Sequence, residues 1–268
     1  MVISDILKMF GKVDGTIILE EIMSIDKVDI ILNPNKAITK EKEAQVLEAF
    51  NKYKNRIPLH YIIGKKNFYG RDFYLEEGVL IPRFETEILI ENILKIEEDF
   101  SEILDIGCGS GIISITLALE LKDSKVLGVD ISEKAVNVSE KNRKRLGADN
   151  CTFLKSDIYD SLGKNKKFDL IVSNPPYITE KDMDDLDDWV KKEPPTALFG
   201  GEDGLDFYRR IIEDASLYLN KKGYIAFEIG YDQGKTVPDL LKKNHFDVIS
   251  IIKDYNDFDR CVIARSEI

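Results

Sequence analysis

The chain has little of what redox, metal or charge-relay chemistry needs. Its three cysteines, Cys108, Cys151 and Cys261, stand far apart and follow no disulfide or metal-ligand spacing. They are expected to be reduced thiols of a cytoplasmic protein. Two isolated histidines, His60 and His245, offer neither a metal site nor a Ser-His-Asp arrangement. No apolar run approaches the roughly 18 residues that a membrane span requires. The N-terminus also lacks the basic flank and apolar core of a signal peptide. Basic residues are in the minority, 38 Lys and Arg against 49 Asp and Glu, for a net charge of -11. That balance argues against a protein that holds a duplex by neutralising phosphates. The short clusters Lys164 to Lys167 and Lys141 to Arg145 read as solvated faces.

What is present suffices for one large domain and a smaller one, with 43% of 268 residues hydrophobic. Over residues 1–55 the apolar positions recur at helical spacing: Ile3, Ile6, Leu7 and Phe10, then Ile17, Ile18, Ile22 and Ile25, then Val46, Leu47, Phe50 and Tyr53. Thr39 is placed to cap the last of these helices, with Glu41 and Glu43 in its first turn, and Gly11 and Gly15 read as punctuation. The reading is a small helical bundle, either structural only or a clamp for a macromolecular partner. Residues 56–82 change character. The aromatic run Phe68 to Leu75, the turn Glu76-Glu77-Gly78 and the run Val79 to Ile81 predict a β-hairpin linker. Pro82 and Arg83 then open a helix with Glu85 and Glu87 in its first turn.

Residues 83–268 alternate strands with helices. Strands are expected over 102–106, 125–129, 151–154, 168–173, 223–229, 246–252 and 260–264, with helices over 112–121, 133–146, 205–219 and 233–243. Such alternation predicts a mostly parallel sheet covered on both faces. The first strand runs into Asp105-Ile106-Gly107-Cys108-Gly109-Ser110-Gly111. Glycine at every second place lets backbone amides approach a ligand, but the spacing is not the Gly-x-Gly-x-x-Gly of dinucleotide enzymes. Asp105 can meet an ammonium group. Asp130, after the next strand, can accept two ribose hydroxyls. Asp157 can hold an adenine amino group, with Ile158 beside it for apolar contact and a backbone N–H. Three acids in series beside a glycine turn favour a nucleoside site.

The fourth strand stops at Ser173-Asn174-Pro175-Pro176-Tyr177. Proline lacks an N–H and narrows the residue before it, so this is a stiff cup. It offers the Asn174 side-chain carbonyl, an adjacent backbone carbonyl and the Tyr177 ring. Two converging acceptors suit an NH2 group. The acidic stretch Glu180 to Glu193 around Trp189 is either a solvated loop or a protein-contacting lid.

The order Asp-x-Gly-x-Gly-x-Gly, Asp130, Asp157, Asn174-Pro175-Pro176-Tyr177 resembles S-adenosylmethionine-dependent methyltransferases that act on planar nitrogen groups. Within them the chain is similar to the release-factor glutamine methyltransferases (the PrmC/HemK family). The residues that carry the likeness further are Arg56 to Gly64, Phe68-Tyr69-Gly70, Leu80 to Glu87, and Glu193 to Leu198 followed by Gly200-Gly201. Phe84 stands where the family usually has proline, and Ile158 where several relatives have an aromatic.

The resemblance implies an α/β fold, a Rossmann-like class I methyltransferase domain with a small N-terminal helical domain joined by a β-hairpin. It also implies S-adenosyl-L-methionine as cofactor, held by Asp105, Gly107, Cys108, Gly109, Ser110, Gly111, Asp130, Asp157, Ile158 and Asn174. Methyl transfer would then go to the glutamine of the Gly-Gly-Gln motif in class-1 peptide chain release factors, at Asn174, Pro175, Pro176 and Tyr177. The helical module would bind the release factor, and the enzyme would act as a cytoplasmic monomer with no metal, no membrane and no direct nucleic-acid contact. Two alternatives are an amino methyltransferase of nucleic-acid bases and a non-catalytic cofactor-binding adaptor.

Overall fold

The computed structural model describes residues 1–267 and divides into two compact units. Met1–Lys65 with Asp187–Lys192 form the first, and Lys66–Leu186 with the chain from Glu193 onward form the second.

The first unit holds five helices: α1 (Ile3–Phe10), α2 (Lys12–Glu21), α3 (Lys27–Leu32), α4 (Lys40–Lys54) and α5 (Leu59–Ile63). Their apolar stripes meet in one core around Ile3, Ile6, Ile18, Leu19 and Val46, the usual burial of an amphipathic face. Thr39 caps α4 by accepting the Lys42 N–H, with Glu41 and Glu43 in the first turn. Gly11 separates α1 from α2. Gly15 is not punctuation: it lies inside α2, where a Cβ would sit 3.0 Å from the Leu7 Cα. Its bareness lets two helices approach closely. Trp189, from the acidic stretch, packs 4.7 Å from the Tyr53 ring with the Arg56 guanidinium over it at 5.3 Å. This part of the stretch is therefore held by aromatic and cation–π contact.

The second unit opens with a two-stranded hairpin, β1 (Lys65–Phe68) and β2 (Arg71–Tyr74). The turn is Tyr69-Gly70, with φ of 49° and 72°. Positive φ at both residues is what a two-residue hairpin turn of type I′ requires. The predicted turn is present at Glu77 and Gly78, but it closes no ladder, since residues 79–81 form no strand. Tyr69 donates its N–H to Glu87 Oε1 at 2.7 Å, tying the hairpin to α6 (Glu85–Ile93).

There follow β3 (Glu102–Ile106), α7 (Ile112–Glu120), β4 (Lys125–Asp130), α8 (Glu133–Leu146), β5 (Cys151–Lys155), β6 (Phe168–Ser173), α9 (Glu180–Asp184), α10 (Asp206–Tyr218), β7 (Leu219–Glu228), α11 (Thr236–Lys243), β8 (Phe246–Lys253) and β9 (Asp259–Ser266). The sheet order is β5-β4-β3-β6-β7-β9-β8, parallel from β5 to β7, with β9 antiparallel to both neighbours. Alternate residues feed two cores. Leu104, Ile171 and Phe227 face the layer of α10 and α11, whereas Ile103, Leu170 and Val172 face α6 and α7. A sheet covered on both faces reads as near-continuous apolar runs, which is why its strands were legible. From β3 the chain moves outward to β5, then returns to the other side of β3 as β6. The carboxyl ends of β3 and β6 therefore flank a topological switch point, where open α/β sheets bind ligands.

Candidate active site

A cleft of about 470 Å³ lies there, lined by residues at or just past the ends of β3, β4, β5 and β6 in turn: Gly107, Asp130, Ser156 and Asn174. The strand ends are clamped together. Ser173 donates its hydroxyl to the Ile106 carbonyl at 2.7 Å, while Gly107 and Cys108 donate their N–H groups to the Val129 carbonyl at 2.8 and 3.0 Å.

The three glycines of the turn do different work. A Cβ on Gly107 would meet nothing within 4 Å, and one on Gly109 only the Gly107 carbonyl oxygen at 4.0 Å. Gly111, which caps α7, is instead hemmed in by Ile115, Phe153 and Ser139. The first two leave a bare backbone cradle beside the cleft. Asp130 holds it, accepting the Gly109 N–H at 2.9 Å and the Ser132 N–H at 2.8 Å. Two lone-pair sites of this carboxylate are filled and about two remain for a ribose diol. Burial raises its pKa against those two N–H bonds.

Asp105 sits beneath the turn, fully buried and outside the cleft lining. Its Oδ2 accepts both the N–H and the hydroxyl of Ser114, and its Oδ1 has no hydrogen-bond partner among the described residues. Burial pushes its carboxyl up to about 7. Cys108 and Ser110 line the cleft, but the Cys108 thiol is buried 3.6 Å from the Ser139 hydroxyl. Burial raises its pKa well above the thiol range, so it is inert. Asp157 lines the cleft with an oxygen already taken by Arg210 of α10 at 2.8 Å. Ile158 lines it with φ of 47°, an outlier for a β-branched residue and of the kind that collects at ligand clamps.

At the cup, Asn174, Pro175 and Pro176 line the cleft. The Asn174 side chain donates from Nδ2 to Thr86 Oγ1 at 3.2 Å, and Thr86 donates to Glu228 Oε2 at 2.6 Å. Tyr177 does not present its ring to the cleft as expected. It packs against the core that contains Tyr208 and Phe227, and burial keeps its phenol protonated. An aromatic ring gains more from that burial than from a wall open to water. The backbone of Tyr177 is shaped from outside: Cβ atoms on Gly200 and Gly204 would lie 2.7 Å and 2.4 Å from the Tyr177 Cα and carbonyl oxygen. Gly200 also donates its N–H to the Ile178 carbonyl at 2.8 Å.

Sequence similarity agrees with this geometry. The Methyltransferase small domain family matches residues 84–192, and the PrmC N-terminal domain family matches residues 11–64. A protein named release factor glutamine methyltransferase from Bacillus cereus is 44% identical over 94% of this chain and 92% of its own length. One of the same name from Fusobacterium nucleatum is 42% identical over 95% of this chain and 73% of its own length. The chain belongs to the release factor glutamine methyltransferase family. It is an S-adenosylmethionine-dependent methyltransferase. A methyltransferase structure from Pyrococcus furiosus shares the fold, with a TM-score of 0.57 at 20% identity over 86% of this chain and all of that one.

The bare cradle at Gly107 and Gly109 and the spare acceptor sites of Asp130 fit the nucleoside of that cofactor. Several partners in this methyltransferase carried no motif signal. Asn142 of α8 bridges the turn to the hairpin, donating to the carbonyls of Ser110 and Tyr74 and accepting the Tyr74 N–H. An asparagine on the buried stripe of Ala135, Val138 and Ser139 was the one available hint. Glu193 is buried and accepts the Ile81 N–H at 2.9 Å and an Arg83 N–H at 2.5 Å. It thereby joins two of the segments that carried the family likeness.

Proposed function

We propose that the chain transfers the methyl group of S-adenosylmethionine to the side-chain amide nitrogen of the glutamine in the Gly-Gly-Gln motif of class-1 peptide chain release factors. The observation that carries this reading is the orientation of Asn174: its NH2 is turned to Thr86, to which it donates, and that leaves its Oδ1 as the acceptor for a substrate. The names of the relatives supply the substrate, and the cup supplies the chemistry.

A carboxamide nitrogen is a poor nucleophile because its lone pair is delocalised into the carbonyl. It has two N–H donors, and Asn174 and Pro175, both of which line the cleft, carry two acceptors in the Asn174 Oδ1 and the Pro175 carbonyl. Both hydrogens are held there, and the nitrogen is aimed into the cleft. The cofactor, when bound, supplies an electrophilic methyl group on a sulfonium. Gly107 and Gly109 give its nucleoside room, Asp130 accepts its ribose hydroxyls, and Ile158 and Asp157 border its base. Alignment of two bound reactants is worth about 7 to 11 kcal/mol in well-oriented systems. As charge moves onto the amide its N–H groups become more acidic, so the two acceptors bind the transition state more tightly than the ground state.

The helical unit serves to hold the release factor, and the net charge of -11 suits a protein target with basic surface better than a nucleic acid. The protein acts as a monomer in the cytoplasm. The test is incubation with methyl-labelled cofactor and, separately, a release factor, duplex DNA and RNA. Label is expected in the release factor alone, on the glutamine of its Gly-Gly-Gln peptide by mass analysis. Label in either nucleic acid, or in none of the three, would overturn the reading.

A further inference from the structure

We propose that Thr86 and Glu228 are positioning residues for the methyl transfer, a buried hydroxyl and a buried carboxylate that together decide which way round the Asn174 carboxamide sits. This rests on the reading of Asn174 just given. An asparagine side chain turned over by 180° keeps almost the same shape but exchanges its acceptor for its donor. An Asn174 turned that way would meet a substrate NH2 with its own NH2. Something must therefore hold the amide in one of two nearly equivalent orientations.

Hydrogen-bond polarity supplies that choice. Thr86 and Glu228 are both buried, with 0% and 1% of their surface exposed. Above about pH 7, where Glu228 is ionised, its carboxylate only accepts, so the single hydroxyl hydrogen of Thr86 is committed to Glu228 Oε2 at 2.6 Å. Thr86 Oγ1 then faces Asn174 with lone pairs alone. Only the NH2 of Asn174 can satisfy them, and it does so at 3.2 Å. A turned amide would set its carbonyl oxygen against those lone pairs and leave a buried hydroxyl acceptor unmet, which is unfavourable.

The fold brings the three residues together by register. Ser173 of β6 pairs with Phe227 of β7, so Asn174 and Glu228 lie one residue beyond, side by side at the carboxyl ends of neighbouring parallel strands. Thr86 reaches the pair from the first turn of α6. Asn174 itself lines the cleft.

A purely structural role, pinning α6 to β7, must be told apart from this one. The test combines Thr86→Val, Thr86→Ser and Asn174→Ala in single-turnover assays and in NMR of the Asn174 side-chain amide. Thr86→Val is expected to lower the methyl-transfer rate about 10-fold or more, with KM for the release factor and calorimetric affinity for the cofactor nearly unchanged. Thr86→Ser keeps the hydroxyl and is expected to restore most of the rate. In the Asn174→Ala background, adding Thr86→Val is expected to change the rate by no more than about 2-fold. The Asn174 NH2 resonances, assigned by their loss in Asn174→Ala, should shift and lose solvent protection in Thr86→Val but not in Thr86→Ser. Additive rate losses, a loss that falls on KM alone, or NH2 resonances that ignore Thr86→Val would each overturn the proposal. If the wild-type protein transfers no methyl group to a release factor, the substrate reading fails, while the resonances still decide whether Thr86 orients Asn174.

Discussion

Gly111→Ala should destabilise the second unit while leaving the cofactor cradle open. A Cβ there would lie 2.9 Å from Ile115 Cδ1 and 3.1 Å from both Phe153 Cζ and Ser139 Oγ, on a backbone with φ of 82°. None of these neighbours moves freely. Ile115 is fully buried, Phe153 packs on the same core, and the Ser139 hydroxyl donates to the Gly109 carbonyl at 2.9 Å. A left-handed backbone costs alanine about 1 to 2 kcal/mol, and overpacking a filled site adds about 1 to 3 kcal/mol. The expected loss is thus roughly 2 to 5 kcal/mol. Gly107→Ala is the matched control. Its φ is 74° but its Cβ would meet nothing within 4 Å, so only the backbone penalty of about 1 to 2 kcal/mol applies. Its methyl group stands in the cleft, and the damage should appear in cofactor affinity, weakened about tenfold or more. Urea unfolding followed by circular dichroism, with calorimetric titration of S-adenosylmethionine, reads both quantities. A Gly111→Ala protein as stable as Gly107→Ala, or a Gly107→Ala protein that binds cofactor like wild type, would refute the division of labour among these glycines.

Asp130→Ala should weaken cofactor binding and loosen the turn, since it removes the acceptor for the Gly109 and Ser132 N–H groups; unchanged calorimetric affinity would take Asp130 out of the site. Glu193→Ala should lower stability by about 2 to 3 kcal/mol, the Ile81 N–H being left unpaired and Arg83, itself part exposed, losing its partner. Glu193→Gln, which keeps an acceptor, should lose less, and equal losses in urea would contradict the account. Burial pushes Glu228 up to about 7 from its ordinary 4.5, against the lowering effect of the Thr86 hydroxyl, Arg260 and Arg83, with Glu85 raising it. Between about pH 4.5 and 7 such a carboxyl keeps its proton in the fold and gives it up in the unfolded chain, and above that range it is ionised in both. The stability it contributes is present below about pH 4.5 and is lost as pH rises through about 7, by up to a few kcal/mol. The stability of wild type relative to Glu228→Gln should therefore be greater at pH 4.5 than at pH 7.5; a difference that does not change with pH would disprove the assignment.

Strand existence in the second unit was legible because the signal is local. A strand buried on both faces writes itself as an apolar run, and Phe168 to Ser173 is stopped by Pro175 and Pro176 whatever lies elsewhere in the chain. The hairpin turn was less so. Gly70 and Gly78 both adopt positive φ, and local chemistry does not say which of the two closes a ladder; pairing of 65–68 with 71–74 decides it. Gly15 looked like a helix breaker because the approach of Leu7 to it is a contact between helices.

The amino-acid order alone determined the alternating α/β plan, the glycine turn, the acid after each strand and the asparagine before two prolines, since each is a matter of nearest neighbours along the chain. Only the tertiary structure decided what those groups face. It packed Tyr177 against the core and paired Asp157 with Arg210. It also joined Asn174 to Thr86, 88 residues away, and Thr86 to Glu228, 142 residues away. Hydrogen bonds of that span depend on sheet register and helix placement, which no local pattern encodes.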